Sequence, residues 1–114
     1  MNQFVILFRQ RPYLFTEAGK ARRQAAIIAW AREMSARGHR LEPRTLDRSF
    51  TRPGIEVNEE DYGKWPVSAL LFLDARNLTE ATTIAASHPA KDYNVSMEVR
   101  PWTPAGTPLL AQAS

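Results

Sequence analysis

The chain has no cysteine and only two histidines and five glycines in 114 residues. Without cysteine there is no disulfide framework, no thiol nucleophile and no thiolate zinc site. That suits a reducing compartment, and a cytoplasmic location is the expectation. The few glycines form no phosphate-cradling loop, and neither an H-E-x-x-H nor a G-x-S-x-G pattern occurs. Long hydrophobic runs are also missing. The apolar stretch Phe4 to Phe8 near the start is too short for a membrane span or a signal core, so no membrane partner is expected.

Neither sign of charge dominates. Fifteen basic residues face twelve acidic ones, for a net charge of +3. Nine of the basic residues fall between Lys20 and Arg52, but Glu33, Glu42 and Asp47 are interleaved with them. No nucleic-acid motif accompanies the run, so a solvated helical face is the expectation and a nucleic-acid partner is not. At 44% apolar and 24% charged, the composition is that of a single globular domain.

What is present reads as an ordered series of elements. "FVILFR" (4–9) is β-branched and aromatic, hence a strand. "TEAGKARRQAAIIAWAREMSARG" (16–38) reads as a helix with Thr16 as N-cap and Gly38 just past its end. Ala21, Ala25 and Ile28 make one apolar stripe on it; Ile27, Ala31 and Met34 make a second, wider in sum than one buried face needs. "HRLEPRTLDRSF" (39–50) carries Pro43 and suits an edge strand. Residues 51–66 read as a loop in which Ile55 and Val57 could form a short β excursion.

"VSALLFLDA" (67–75) is the clearest strand, with Val67, Ala69, Leu71 and Leu73 on one face. "NLTEATTIAAS" (77–87) is a second helix: Asn77 can cap it, and Glu80 stands where a capping-box acid reaches back. Leu78, Ala81, Ile84 and Ala85 form its inner stripe, and Pro89 ends it. "VSMEVRP" (95–101) alternates as a final strand, and residues 103–114 read as an irregular tail.

This order predicts an α+β fold, the ferredoxin-like βαββαβ arrangement, with a single domain over 1–102 and strand order fourth, first, third, second. Its helices cover one face of an antiparallel sheet, and the other face should then be polar. The two central strands break that rule, since Val5, Leu7, Leu70 and Phe72 oppose Phe4, Ile6, Phe8, Leu71 and Leu73. At roughly 1.5–3 kcal/mol per buried side chain, four or five such residues represent on the order of 10 kcal/mol of association drive. A C2 homodimer through the bare sheet face is the expected relief. The alternative is that the 51–66 loop and the tail cover it.

Three stretches carry a family likeness: "FVILFR", "AWAREMSARGHRLEPRTL" (29–46) and "NLTEATTIAASHPAKDYNVSMEVRPW" (77–102). On these the chain resembles the YCII-related family of dimeric α/β-barrel proteins, in particular its DGPF-type branch. The segment that names the branch is replaced here by "NEEDYGKWPVS". Family prototypes are similar to acid–base proteins with a His early in the first helix and an Asp before the Pro that ends the second. In this chain the pre-Pro position is His88, and the first helix has no histidine.

The candidate site residues follow. His88 could carry a proton, or could simply favour a helix C-terminus. Glu98 and Arg100 share a strand face and could orient an acidic or carbonyl-bearing ligand, or form a rim ion pair. Arg9 and Asp74 end the central strands and could line a cavity mouth, or reach water. His39 beside Gly38 suits a helix end, and Glu59, Glu60 and Asp61 suit a solvated run. Trp30 reads as core, whereas Trp65 and Trp102 could cap a cavity.

The leading expectation is a small homodimer that binds a small organic molecule in the pocket between sheet and helices, through His88, Glu98, Arg100, Arg9 and Asp74. Two alternatives stay open. One is a cofactor-free acid–base lyase or isomerase on a ring-containing acid, with His88 as proton carrier; the other is a regulatory protein-interaction module. No cofactor or metal is called for, and no ligand is named.

Overall fold

Pairing with its neighbours extends the first strand, β1, to Asn2–Gln10, from Asn2 opposite Ala75 to Gln10 opposite Val95. In the computed structural model, which describes residues 1–10, 16–47, 49–56 and 65–104, it is followed by α1 (Glu17–Ala36) and β2 (Leu41–Thr45). Then come β3 (Val67–Ala75), α2 (Leu78–Ala86), a 3-10 turn over Pro89–Asp92, and β4 (Val95–Pro101). The sheet order is β2-β3-β1-β4 and every described pairing is antiparallel. This is the ferredoxin-like arrangement, with β1 and β3 at the centre and the Pro43-bearing β2 at an edge.

Local signals set the helix ends. The Thr16 hydroxyl accepts from the Gly19 N–H at 2.9 Å, satisfying one of the free amides of the first turn. Gly38 takes φ +92° just beyond the last turn, a left-handed value that a side chain would strain. The Asn77 side chain accepts from the Glu80 N–H at 2.8 Å and caps α2. Glu80 differs from the capping-box expectation: its carboxylate accepts from the Arg76 backbone N–H at 3.1 Å, one residue further back than the cap. The Arg76 guanidinium, 2.6 Å from the same carboxylate, holds it there.

One face of the sheet packs under both helices. Phe4, Ile6, Phe8, Leu71, Leu73 and Ala75 join Trp30, Met34, Ala81, Ile84, Ala85 and Ala90 in one buried cluster, and Ile6 is fully buried. On α1 the stripe containing Ile27, Ala31 and Met34 turns inward with Trp30, whereas Ala21, Ala25 and Ile28 face out. The choice follows from size, since Trp30 and Met34 remove far more apolar surface from water than two alanines. On α2 Leu78 is 46% exposed, so the inner stripe begins at Ala81.

A register shift separates the Phe8–Ala69 pair from the Arg9–Val67 pair, leaving Ser68 as the extra residue of a bulge. Val67 thereby lies opposite Arg9 rather than on the face of Ala69, Leu71 and Leu73. Ile55 sits in a bend, 93% exposed and outside any strand, so the expected β excursion does not form there. Val57, Glu59, Glu60, Asp61 and residues 105–114 lie outside the described residues.

Truncating the inner stripe should cost far more than truncating the outer one. Met34→Ala is expected to lose about 2–5 kcal/mol of unfolding free energy, and Ile28→Ala less than about 1 kcal/mol. Urea denaturation followed by circular dichroism checks this. Equal losses would mean that α1 is rotated from the orientation described.

Candidate functional site

The sheet divides the expected site residues between its two faces. His88 lies on the helix side, 6% exposed. Its ring stands edge-on to Trp30 at 4.5 Å between centroids and tilted against Phe8 at 4.9 Å. It precedes Pro89, and its Nδ1 accepts from the Ala90 N–H at 2.9 Å, so it caps the 3-10 turn. With Nδ1 accepting, the neutral ring carries its proton on Nε2. Beside it the Trp30 indole N–H donates to the Ser87 hydroxyl at 2.8 Å, which donates to the Ile84 carbonyl at 2.6 Å.

Burial, helped by the charge of Arg23, pushes the His88 pKa down to about 4. The imidazole therefore serves this fold as a neutral packing and capping group. The region between sheet and helices, where the ligand pocket was expected, holds the core side chains named above.

Arg9, Glu98 and Arg100 are together on the opposite face. Cross-strand pairing aligns three rows there: Phe72–Val5–Arg100, Leu70–Leu7–Glu98, and Val67–Arg9–Ser96. Glu98 is shared by two cations, 3.9 Å from Arg9 Nε and 3.5 Å from Arg100 Nε. Both distances exceed the roughly 2.7–3.2 Å of an N–H···O hydrogen bond, so charge alone holds the trio. Val5, Leu7, Leu70 and Phe72 beside them are only partly buried. Trp102, just past β4, donates its backbone N–H to the Gln3 carbonyl at 3.3 Å and sets its ring edge-on to Phe72 at 5.1 Å. An open groove follows this surface, with Val5, Leu7, Arg100, Trp102 and Pro104 among its lining.

Asp74 is the outlying member. It sits at the far end of β3 opposite Gln3, and the same groove reaches it past Val5. Its backbone carbonyl accepts the Nδ1–H of His39 at 3.0 Å. His39 in turn is 3.9 Å from Glu80, whose pKa is lowered chiefly by the hydrogen bond from the Arg76 backbone. His39 thus ties the end of α1 to β3, beside the start of α2.

Sequence reasoning missed Arg23 and the His39–Glu80–Arg76 link. Arg23 was findable: it stands four, seven and eleven residues before Ile27, Trp30 and Met34, on the inner side of α1, and its guanidinium lies 5.6 Å from the Tyr93 ring. Among the described residues no group of three His, Cys, Asp or Glu could hold a metal ion, and no helix is long and apolar enough to cross a membrane. No known protein family model matches the chain, and no curated protein matches it.

The buried imidazole makes stability depend on pH in a defined direction. Unfolded His88 takes up its proton near 6.5, whereas the folded ring resists it down to about 4. In that window the unfolded state binds the extra proton, so stability falls as pH falls, at about 1.4 kcal/mol per pH unit, on the order of 3 kcal/mol in all. His88→Asn, which keeps a capping acceptor, should flatten this part of the profile. Urea midpoints taken at intervals from about pH 7 to about pH 4 read it. A wild-type profile parallel to that of the variant would contradict the assignment.

Proposed function

We propose that this chain acts as a homodimer, joined through the open face of its sheet, that binds a small organic molecule between the two faces. The observation that carries the reading is the composition of that face. Val5, Leu7, Leu70 and Phe72 form an apolar centre that the chain's own helices, packed on the other side, cannot cover. Its polar margin includes Arg9, Glu98 and Arg100 on one flank, Glu42 and Arg44 on the other, and Gln3 and Asp74 at one end. An apolar centre rimmed by charge is the usual composition of a surface that meets a partner.

The resemblance to the YCII-related family of dimeric α/β barrels points the same way, and we retain it as part of the proposal. The ligand sits on the open face rather than beneath the helices, because the three charged candidates converge there. The acid–base alternative draws no support from His88, whose Nδ1 is occupied by a backbone amide and whose ring lies between two aromatic residues. A binding or accessory role in the cytoplasm is the reading that this face favours.

Light scattering on dilute protein should give twice the chain mass of 12.9 kDa. Leu7→Lys places a charge in the centre of the face and should yield the single-chain mass with an unchanged circular dichroism spectrum. A wild-type mass of 12.9 kDa would remove the dimer.

A further inference from the structure

On the open face, strand pairing aligns side chains in rows that run across the sheet. One row reads Glu42–Phe72–Val5–Arg100 and the next Arg44–Leu70–Leu7–Glu98. Each has two apolar residues in the middle and opposite charges at its ends, and the two rows carry those charges in opposite order. Such a row is its own complement when turned end for end: acid meets base at both ends, and apolar meets apolar between them. The row before them, Arg40–Asp74–Gln3–Trp102, has the same property. Laid on itself in reverse, it sets a guanidinium on an indole and a carboxylate on a side-chain amide. Within the chain, Glu42 lies 2.9 Å from Arg40 and Glu98 lies 3.5 Å from Arg100. A carboxylate accepts several hydrogen bonds, and these four side chains stay 43–75% exposed, so a base from a second chain adds to each pair without displacing it. Side chains of this length span the roughly 10 Å between stacked sheets.

We infer that a second copy lies on this face with its two-fold axis along the strands, so that β2 of each subunit covers β4 of the other. Glu42 then meets Arg100 of the partner subunit, Arg44 meets Glu98 of the partner subunit, and Arg40 meets Trp102 of the partner subunit. The inference rests on the reading that a second copy covers the open face, and it names which edge meets which. It also makes the Arg9–Glu98–Arg100 trio part of a two-chain cluster. An axis across the strands would oppose charges in the two middle rows as well, Glu42 against Arg44 of the partner subunit and Arg100 against Glu98 of the partner subunit. It would, however, lay the Arg40 row on the row Val67–Arg9–Ser96, with Asp74 against Val67 of the partner subunit. A carboxylate covered by valine has no counter-charge there, which is costly. The lengthwise axis leaves no charge of the three rows without a complement.

The test mixes two full-length variants at low ionic strength, where charge contacts are least screened. Glu42→Arg and Arg100→Glu each set like charges against each other at two places across the axis. Each alone should dimerise about tenfold more weakly than the wild type by sedimentation equilibrium. Mixed in equal amounts, with one isotopically labelled for native mass spectrometry, they should pair with each other about tenfold more tightly than either pairs with itself. In the mixed dimer the introduced arginine meets the introduced glutamate, and the other contact is the native one. Contacts within each chain are the same in single and mixed species, so the gain reads contacts between chains alone. Arg44→Glu mixed with Glu98→Arg repeats the measurement on the next row if circular dichroism finds either first variant unfolded. Pairing at random in the mixture, with a wild type of dimer mass, would overturn this arrangement and leave the dimer. Full dimer strength in both single variants would overturn it in the same way, and so would rescue of Glu42→Arg by Arg44→Glu in one chain, which requires the crosswise axis. A wild type of single-chain mass would overturn the reading of the face and this inference with it.

Discussion

Central strands that are apolar on both faces are the constraint on which the rest of this molecule depends. Because side chains alternate along a strand, β1 cannot bury Phe4, Ile6 and Phe8 without turning Val5 and Leu7 the other way. Cross-strand pairing then brings Leu70 and Phe72 of β3 beside them. The helices answer for only one of these faces, and they do so with few large residues, chiefly Trp30, Met34 and Ile84. Much of the core's volume thus comes from the sheet itself. The apolar content of the opposite face is a consequence of the same strands that build the core, and it is the feature that any account of function must explain.

The polar residues sort themselves by this two-sidedness. A histidine on the helix side meets aromatic rings and a backbone amide, so it becomes a neutral cap. Arginines on the other side meet one carboxylate at ion-pair distance on a surface with apolar neighbours. The physical difference between His88 and Arg100 is the side of the sheet on which each sits. That difference moves the candidate site from the space beneath the helices to the exposed face.

The last strand was legible from its period-two pattern, and the two central ones from short β-branched and aromatic runs that end in polar or charged residues. The helix caps were legible at Thr16 and Asn77, whose side chains have a single nearby use. Three things were not. Two apolar stripes on α1 compete in sequence, and only the bulk of Trp30 decides which turns inward. The bulge at Ser68 reverses the side of Val67, and alternation alone has no signal for an inserted residue. The surroundings of His88 depend on Trp30, fifty-eight positions earlier, and on Phe8, eighty earlier; proximity to Pro89 could suggest a cap but not a buried ring. Glu98 and Arg100 were placed on one face by their spacing of two, whereas the joining of Arg9 to them required the β1–β4 register.

The central claim is that a second copy covers the open face. It is tested most directly by the accessibility of the methyl groups of Val5, Leu7 and Leu70 to a soluble paramagnetic probe, followed by NMR across a dilution series with the methyls of outward-facing Ile28 as reference. The account predicts that the three face residues are shielded in concentrated protein and become accessible on dilution, while Ile28 is relaxed throughout. Shielding that persists unchanged at every dilution in a species of single-chain mass would contradict it, since the chain would then be covering its own sheet.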